Sequence, residues 1–278
     1  MQPIDVDVKY PFFNPRLGIS YIHHRHNVFA SVAMAHREPT RSDFTDRYMF
    51  SDDGYPSPER LIDFELGYNY IAPRLTLGVN LYYMYYHNQL VATGMVNDGD
   101  DALNVNVDRS YRRGVELMAS WKSTKWLTLS ANATLSQNKI LDYVDQLKDS
   151  PTYGQNLGTK TISYSPSVVG SLIADFHYKG FSLLWHTQYV GKQYFTNNEV
   201  EALSLDAYCV TNLDVAYTLM LKDERSVRFG VAVINLFSTL YESNGYGYSY
   251  MWDGERYDEA FYFPQAPINV LANVTVNF

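Results

Sequence analysis

Along most of the chain, apolar and polar residues alternate one by one, the period of a β-strand that has one face in an apolar medium. From Leu75 the set Leu75, Leu77, Val79, Leu81, Tyr83 and Tyr85 alternates with Thr76, Gly78, Asn80, Tyr82, Met84 and Tyr86. From Leu127 the alternation is nearly pure: Leu127, Leu129, Ala131, Ala133 and Leu135 against Thr128, Ser130, Asn132, Thr134 and Ser136. Ile62, Phe64, Leu66, Tyr68 and Tyr70 alternate with a set that contains Asp63 and Glu65. At the end, Val270, Ala272, Val274, Val276 and Phe278 do the same against Leu271, Asn273, Thr275 and Asn277. Charges on the polar face fit a hydrated lumen, but a soluble sandwich has the same period, so alternation alone leaves both open.

Connection lengths separate the two. The pattern predicts about 11 strands, at 16–22, 28–36, 59–72, 75–90, 104–121, 126–140, 161–178, 181–193, 206–219, 226–237 and 260–278, several of them longer than the mean soluble strand of about 5–6 residues. Short connections (His23 to Asn27, Pro73-Arg74, Lys122 to Lys125, Lys179-Gly180, Met220 to Arg225) alternate with long ones (Arg37 to Pro58, Val91 to Leu103, Leu141 to Lys160, Tyr194 to Leu205, Ser238 to Glu259). Short turns on one side and long loops on the other are the habit of an outer-membrane β-barrel. The expected fold class is therefore all-β, an antiparallel transmembrane β-barrel of which about 11 strands are visible. An odd number does not complete a bacterial single-chain barrel, where even totals are the rule, and it fits half of 22. With Phe278 on the periplasmic side, every short turn falls in the periplasm and every long loop outside.

Composition strengthens that picture. Aromatic residues reach 15% with 25 Tyr, as in a barrel with amphipathic rings at both membrane interfaces. Hydrophobic residues make up 46%, yet the mean hydropathy is -0.27, and no run approaches the ~18 apolar residues of a membrane helix. A net charge of -8 argues against a nucleic-acid partner. The lone Cys209 excludes an internal disulfide. Met1 to Asp7 lack the basic and apolar regions of a signal peptide, so an exported chain starting here is expected to be a truncation.

Several strings resemble the C-terminal half of the barrel of TonB-dependent outer-membrane receptors. They are NPRLGISY (Asn14 to Tyr21), AHREPTRSDFTDR (Ala35 to Arg47), PERLIDFELGYNY (Pro58 to Tyr70), RSYRRGVELMASWKSTKWLTLSANATLS (Arg109 to Ser136), the NLF of Asn235 to Phe237, and the closing NVTVNF. The resemblance implies that residues 1–278 are the C-terminal part of a 22-stranded barrel whose plug and first half are not in this sequence. It implies import of a scarce nutrient, such as a metal chelate or cobalamin, driven by proton-motive energy that TonB relays through the missing plug. The implied partners are the outer-membrane bilayer, the plug and N-terminal barrel half, the TonB complex, a small-molecule ligand, and the barrel-assembly machinery. That machinery would read Val274, Val276 and Phe278 as its signal, since an unpaired amphipathic edge is a template for strand addition. A competing reading is a non-transporting outer-membrane barrel whose loops serve adhesion or partner binding.

Candidate sites lie in the long loops. Tyr246, Tyr248, Tyr250 and Trp252 offer rigid rings with polar tips for a ligand, or pack the loop; Phe261 to Phe263 are assigned to the interfacial girdle at the start of the last strand. Arg37, Arg41, Asp43 and Arg47 sit where the second strand meets its loop, and either pair with an anionic ligand or brace the mouth with internal salt bridges. Asp98, Asp100 and Asp101, and Asp52-Asp53, lack the spacing of a calcium loop and read as solvated acidic runs. His23, His24 and His26 crowd one turn without a carboxylate or thiol to complete a metal site. No GxSxG, HExxH or phosphate-binding glycine loop appears, and neither catalysis nor a cofactor is expected.

Overall fold

The computed structural model describes residues 7–45, 55–96 and 102–278. Its strands are β1 (Arg16–His23), β2 (His26–Arg37), β3 (Glu59–Ala72), β4 (Leu75–Val96), β5 (Ala102–Lys122), β6 (Leu127–Leu141), β7 (Lys160–Thr161), β8 (Val168–Tyr178), β9 (Phe181–Val190), β10 (Gln193–Tyr194), β11 (Ser204–Leu205), β12 (Tyr208–Met220), β13 (Ser226–Ile234), β14 (Glu242–Trp252), β15 (Glu255–Pro264) and β16 (Asn269–Asn277). One short helix, α1 (Arg41–Thr45), follows β2. The main sheet runs β1-β2-β3-β4-β5-β6-β8-β9-β12-β13-β16, every neighbour antiparallel, with β7 appended to β6. Eleven crossing strands in sequence order make an up-and-down meander, the connectivity of a barrel wall. Among the described residues β1 pairs with β2 alone and β16 with β13 alone, so the sheet is open at both edges.

The registers carry the alternation across the wall without a slip of face. Ile19 opposes Ala30, Ala30 opposes Leu66, Leu66 opposes Leu81, Leu81 opposes Val115, Val115 opposes Leu135 and Leu135 opposes Val168. Further along, Leu183 opposes Val215, Val215 opposes Val231 and Val231 opposes Ala272. A one-residue slip in any pair would turn a whole strand's apolar set inward. Leu66, Leu81, Leu117, Leu135, Leu172, Phe229 and Val274 are exposed on this face. On β5 the apolar band runs from Trp121 to Tyr111; the ten steps between them span about 33 Å, or about 25 Å when tilted by ~40°, the height of a barrel's lipid-facing belt. Rings gather near the short turns, where Trp126 and Phe181 lie 5.4 Å and 6.0 Å from Phe176.

The opposite face is polar. Glu65, Asn80, Tyr82, Met84, Arg112, Glu116, Ser136 and Asn138 line a cleft of about 370 Å³ there, closed from above by Tyr164, Ser165 and Pro166. Asn80 donates to Glu116 at 3.2 Å, and Arg112 donates to Ser165 at 3.1 Å. Segments far apart along the sheet meet over this face: the Asn197 side chain, between β9 and β12, donates to the Ala92 carbonyl on β4 at 2.5 Å. Such a contact skips the strands between, which requires the sheet to curl with the polar face inside.

Three expected boundaries change. The strand expected at 161–178 is interrupted, because Tyr164 has φ 50° and Pro166 follows two residues later, so only β7 and β8 remain of it. β4 runs six residues past its expected end, and β5 begins two residues before its expected start. The connection expected at Ser238 to Glu259 is a hairpin, and the closing strand is Asn269–Asn277 rather than 260–278. Asp253 and Gly254, with φ 50° and 79°, form the two-residue turn that Asp-Gly favours between alternating residues. Phe261, Tyr262 and Phe263 thus lie in β15, outside the main sheet, and not in the girdle of the last strand.

Candidate functional site

The long connections fold together over one end of the wall into a cap with its own apolar cores. Val91, Val107, Ile140, Tyr143 and Ile162 form one; Phe195, Leu203 and Leu205 form the other, with Val200 and Ala260 against it. Burial and the nearby Asp145 carboxylate push the Tyr143 phenol far above its ordinary value, so it stays neutral in that core. β10 and β11 hold Phe195, whose amide donates to the Leu203 carbonyl at 2.8 Å. The β14–β15 hairpin lies on this second core through two glycines. A Cβ at Gly245 would stand 2.7 Å from the Phe195 ring, and one at Gly247 2.9 Å from Leu203 Cδ2, so only glycine allows the approach. Tyr262 adds a ring contact to Phe195 at 5.7 Å, and Tyr164 donates to the Gly245 carbonyl at 3.2 Å.

With the glycines of β14 against the cap, the intervening side chains fall on its other face. Tyr246, Tyr248, Tyr250 and Trp252 alternate with Gly245, Gly247, Ser249 and Met251 and sit opposite Phe261, Glu259, Tyr257 and Glu255. Tyr246 stacks on Phe261 at 4.9 Å and Tyr250 on Tyr257 at 5.5 Å. Tyr248 and Tyr250 both donate to Glu259, at 2.9 Å and 2.8 Å. That bond, with some burial and the negative charge of Glu259, raises the Tyr250 phenol above its ordinary value. The result is a ladder of rings with a carboxylate in its middle. Trp252 at its tip is 71% exposed. Arg256 is on the other face and is held by Asp258 at 2.9 Å and by Ser249.

The base of the hairpin is pinned by Asn235, which is buried. Its side chain accepts from the Thr239 amide at 2.9 Å and donates to the carbonyls of Thr239 and Ala266, tying the end of β13 to the approach to β16. Nothing in the sequence reading assigned a role to Phe195, Asn197 or Glu199. A signal for the hairpin was present, in the Asp253-Gly254 pair between alternating aromatics and in Gly245-Tyr246-Gly247-Tyr248.

The other candidates go elsewhere. Arg37 donates to Glu59 at 2.6 Å, and the same carboxylate accepts from the Leu90 amide, bracing the rim where β2 opposes β3. Asp43 lies in the first turn of α1, and its carboxylate accepts from the Thr40 amide and hydroxyl, each at 2.7 Å, and from Asn104 at 3.0 Å. Arg41 is exposed in the first turn of α1. Arg47, Asp52, Asp53, Asp98, Asp100 and Asp101 lie outside the described residues. His23 and His24 contact each other at 4.2 Å, while His26 bonds the Tyr68 hydroxyl at 2.8 Å. No group of three or more metal-ligating side chains occurs among the described residues. Val274 and Val276 oppose Phe229 and Val227, and Phe278 is 99% exposed beyond the open edge.

A meandering antiparallel wall, apolar outside and polar inside, with short turns at one end and a folded cap at the other, defines the class as a transmembrane-type β-barrel. Residues 4–236 match the model of the family described as TonB dependent receptor-like, beta-barrel, and the chain belongs to that family. Solved structures agree on the fold. The siderophore receptor PiuA from Acinetobacter baumannii superposes with a TM-score of 0.68 at 15% identity over 94% of this chain. The ferric-catecholate import receptor Fiu from E. coli K12 gives 0.64 at 17% over 94%, and the ferric yersiniabactin uptake receptor FyuA from Yersinia pestis 0.62 at 17% over 95%. The chain spans only 35%, 34% and 37% of those proteins.

Proposed function

We propose that these residues are the C-terminal part of the barrel of an integral outer-membrane receptor, which imports a scarce nutrient such as a metal chelate or cobalamin with energy relayed by TonB. Family membership and the fold shared with three uptake receptors, each about three times longer, support the reading. The two open edges support it as well, because a membrane does not tolerate an unpaired sheet edge; a further barrel segment has to pair with β1 and β16. The remaining lumen is then wide enough to need a plug, the part through which TonB acts. β16 carries Val274 and Val276, with Phe278 just beyond it, and has one edge free, which suits recognition by the assembly machinery through strand addition.

The observation that carries the ligand role is the exposed ring face of β14–β15, held on a rigid base by Gly245 and Gly247. Tyr246, Tyr248, Tyr250 and Trp252 are pre-ordered there, so a ligand stacking on them loses little side-chain freedom. Arg37 and Asp43, bonded to neighbours, act by bracing the rim on which that face stands. The test is uptake by cells whose receptor carries Tyr250→Ala and Trp252→Ala together, with a panel of labelled ferric chelates and cobalamin. Loss of two central aromatic anchors lowers affinity for the imported compound roughly 30-fold or more. Unchanged uptake by a variant present at wild-type level would remove the hairpin from the ligand site.

A further inference from the structure

The outward face is uncharged along most of the wall, and its exceptions all fall in one place. Among the described residues of the eleven crossing strands, the outward-facing Arg and Lys side chains are Arg60 on β3, Arg109 and Arg113 on β5 and Lys139 on β6. Among the described residues of these strands no carboxylate shares that face, since Glu59, Asp63, Glu65 and Glu116 alternate to the inside; the carboxylates that reach the cations, Asp142 and Glu199, come from the connections. All four lie in the half of the wall nearer the cap, Arg60 and Arg109 at one level and Lys139 and Arg113 one and two steps further in. His36 opposes Arg60, Arg60 opposes His87, and His87 opposes Arg109, so one row of four basic side chains crosses β2 to β5. With strands about 4.8 Å apart, the row is about 14 Å wide.

Directly beneath this row lies the fringe of the apolar band. Tyr85 opposes Tyr111, and Tyr111 opposes Lys139, one step nearer the middle of the wall. Arg113 lies a further step in, its guanidinium 5.2 Å from the centre of the Tyr111 ring and hydrogen-bonded to Gln137. Two of the cations are partly answered, Arg109 by Asp142 at 2.6 Å and Lys139 by Glu199 at 3.4 Å. Arg60 and Arg113 have no acidic partner among the described residues. On the far half, β9, β12, β13 and β16 put Thr187, Tyr189, Cys209, Thr211 and Val270 on the outward face near the cap, with no cation at all.

We infer that the row on β2 to β5, with Arg113 and Lys139 beside it, is a binding site for the phosphorylated headgroup of an outer-leaflet lipid. Unpaired cations at the end of an apolar band face the layer where lipid phosphates lie, and each basic group near a charged membrane surface contributes roughly a fivefold preference. Arginine suits the task because its planar fork takes phosphate oxygens bidentately, while the tyrosines below supply the interfacial contact. Arg60 and Arg113, which no carboxylate pairs among the described residues, are the two free to take the phosphate, while Asp142 and Glu199 already hold Arg109 and Lys139. The acyl chains then run down the apolar stripe of β3 to β5. This inference rests on the outer-membrane reading above.

The experiment uses the whole receptor that carries these residues, purified from outer membranes and placed in phosphatidylcholine nanodiscs containing lipid A or its dephosphorylated form. Bound lipid is counted by native mass spectrometry. The wild type is expected to retain lipid A preferentially, and excess inorganic phosphate should not displace it, since the stripe holds the chains. Arg60→Gln with Arg113→Gln should weaken retention roughly 25-fold, Arg60→Lys should largely keep it, and Arg228→Gln, which removes an inward charge on β13, should leave it unchanged. A receptor that enters the disc, shows heat-modifiable mobility and retains both lipids equally overturns this inference alone. One that never enters the disc overturns the membrane reading together with it. Displacement by inorganic phosphate would show a plain anion site and would also overturn it.

Discussion

The wall and the cap are built from one chain for two different solvents. In the wall, apolar side chains alternate outward and stay exposed, Leu117 at 41% and Leu135 at 48%, because the medium they meet is outside the protein. In the cap, apolar side chains converge on each other, and Leu203, Ile140 and Tyr143 are essentially inaccessible. Polar groups reverse in the same way. Asp63 and Glu65 of the wall face inward, whereas Trp252 and the ladder tyrosines of the cap face outward over a glycine-lined back. Burial therefore has no single meaning in this molecule: an exposed leucine belongs to the outer face of a barrel wall in one region, and a buried leucine to a small globular core in the other.

The sharpest way to break that comparison is a charge in the middle of the outward band. Leu117 lies between Trp121 and Tyr111, near mid-height on β5. Leu117→Arg is expected to destabilise the assembled receptor by about 2–4 kcal/mol, the cost of a cation at the bilayer midplane. Leu117→Ala should cost far less, since lipid fills the space. Urea unfolding of the receptor in vesicles, scored by heat-modifiable mobility, measures both. Equal stability of the arginine variant and the wild type would show that this face does not meet hydrocarbon.

The cap answers differently to a truncation. Phe195 is 2% exposed and carries Gly245, Gly247 and Tyr262 on its ring. Phe195→Ala is expected to cost about 3–5 kcal/mol within the cap, as deletion of a buried aromatic does in a soluble core. The barrel should still assemble. Limited proteolysis of intact cells reads the difference: cleavage between Ser238 and Glu255 should appear while the receptor stays heat-modifiable. Loss of the whole receptor would mean that wall and cap unfold as one unit.

The same contrast explains what could be read from the sequence. Wall strands are fixed by a two-residue period and short turns such as Lys179-Gly180, with φ 47° and 82°, so the predicted strands 59–72 and 181–193 lie within three residues of those observed. The cap depends on contacts between distant segments. Asn197 reaches Ala92 across 105 positions and Tyr164 reaches Gly245 across 81, and nothing local marks either pair. The hairpin was lost for another reason: its rings alternate like a wall strand, and their end was joined to the closing strand. The Asp253-Gly254 turn outweighed that continuity. Arg37 and Asp43 were legible as polar rim residues, but their partners Glu59 and Thr40 emerged only from the register of β2 on β3 and from the capping of α1.

The smallest effect expected is at the seam where the cap meets the wall. Glu199, at φ 59°, accepts from the Thr161 amide at 2.8 Å and from the Thr161 hydroxyl, and pairs with Lys139 and Lys160 at 3.4 Å and 3.9 Å. Partial burial works against its charge, but the Thr161 hydrogen bonds and the lysines prevail and hold its carboxyl below the ordinary value of 4.5. A depressed folded-state pKa stabilises the seam above the unfolded value and loses that contribution as pH falls through the folded one. Protection of the 191–207 segment from hydrogen exchange should therefore be level near neutrality and decline below about pH 4.5. In Glu199→Gln it should start lower, by a few-fold, and lack that decline, because the amide keeps the shape and drops the charge. A wild-type profile flat to strongly acidic pH, with the glutamine variant equally protected, would show that the cap is held by its apolar cores and not by this latch.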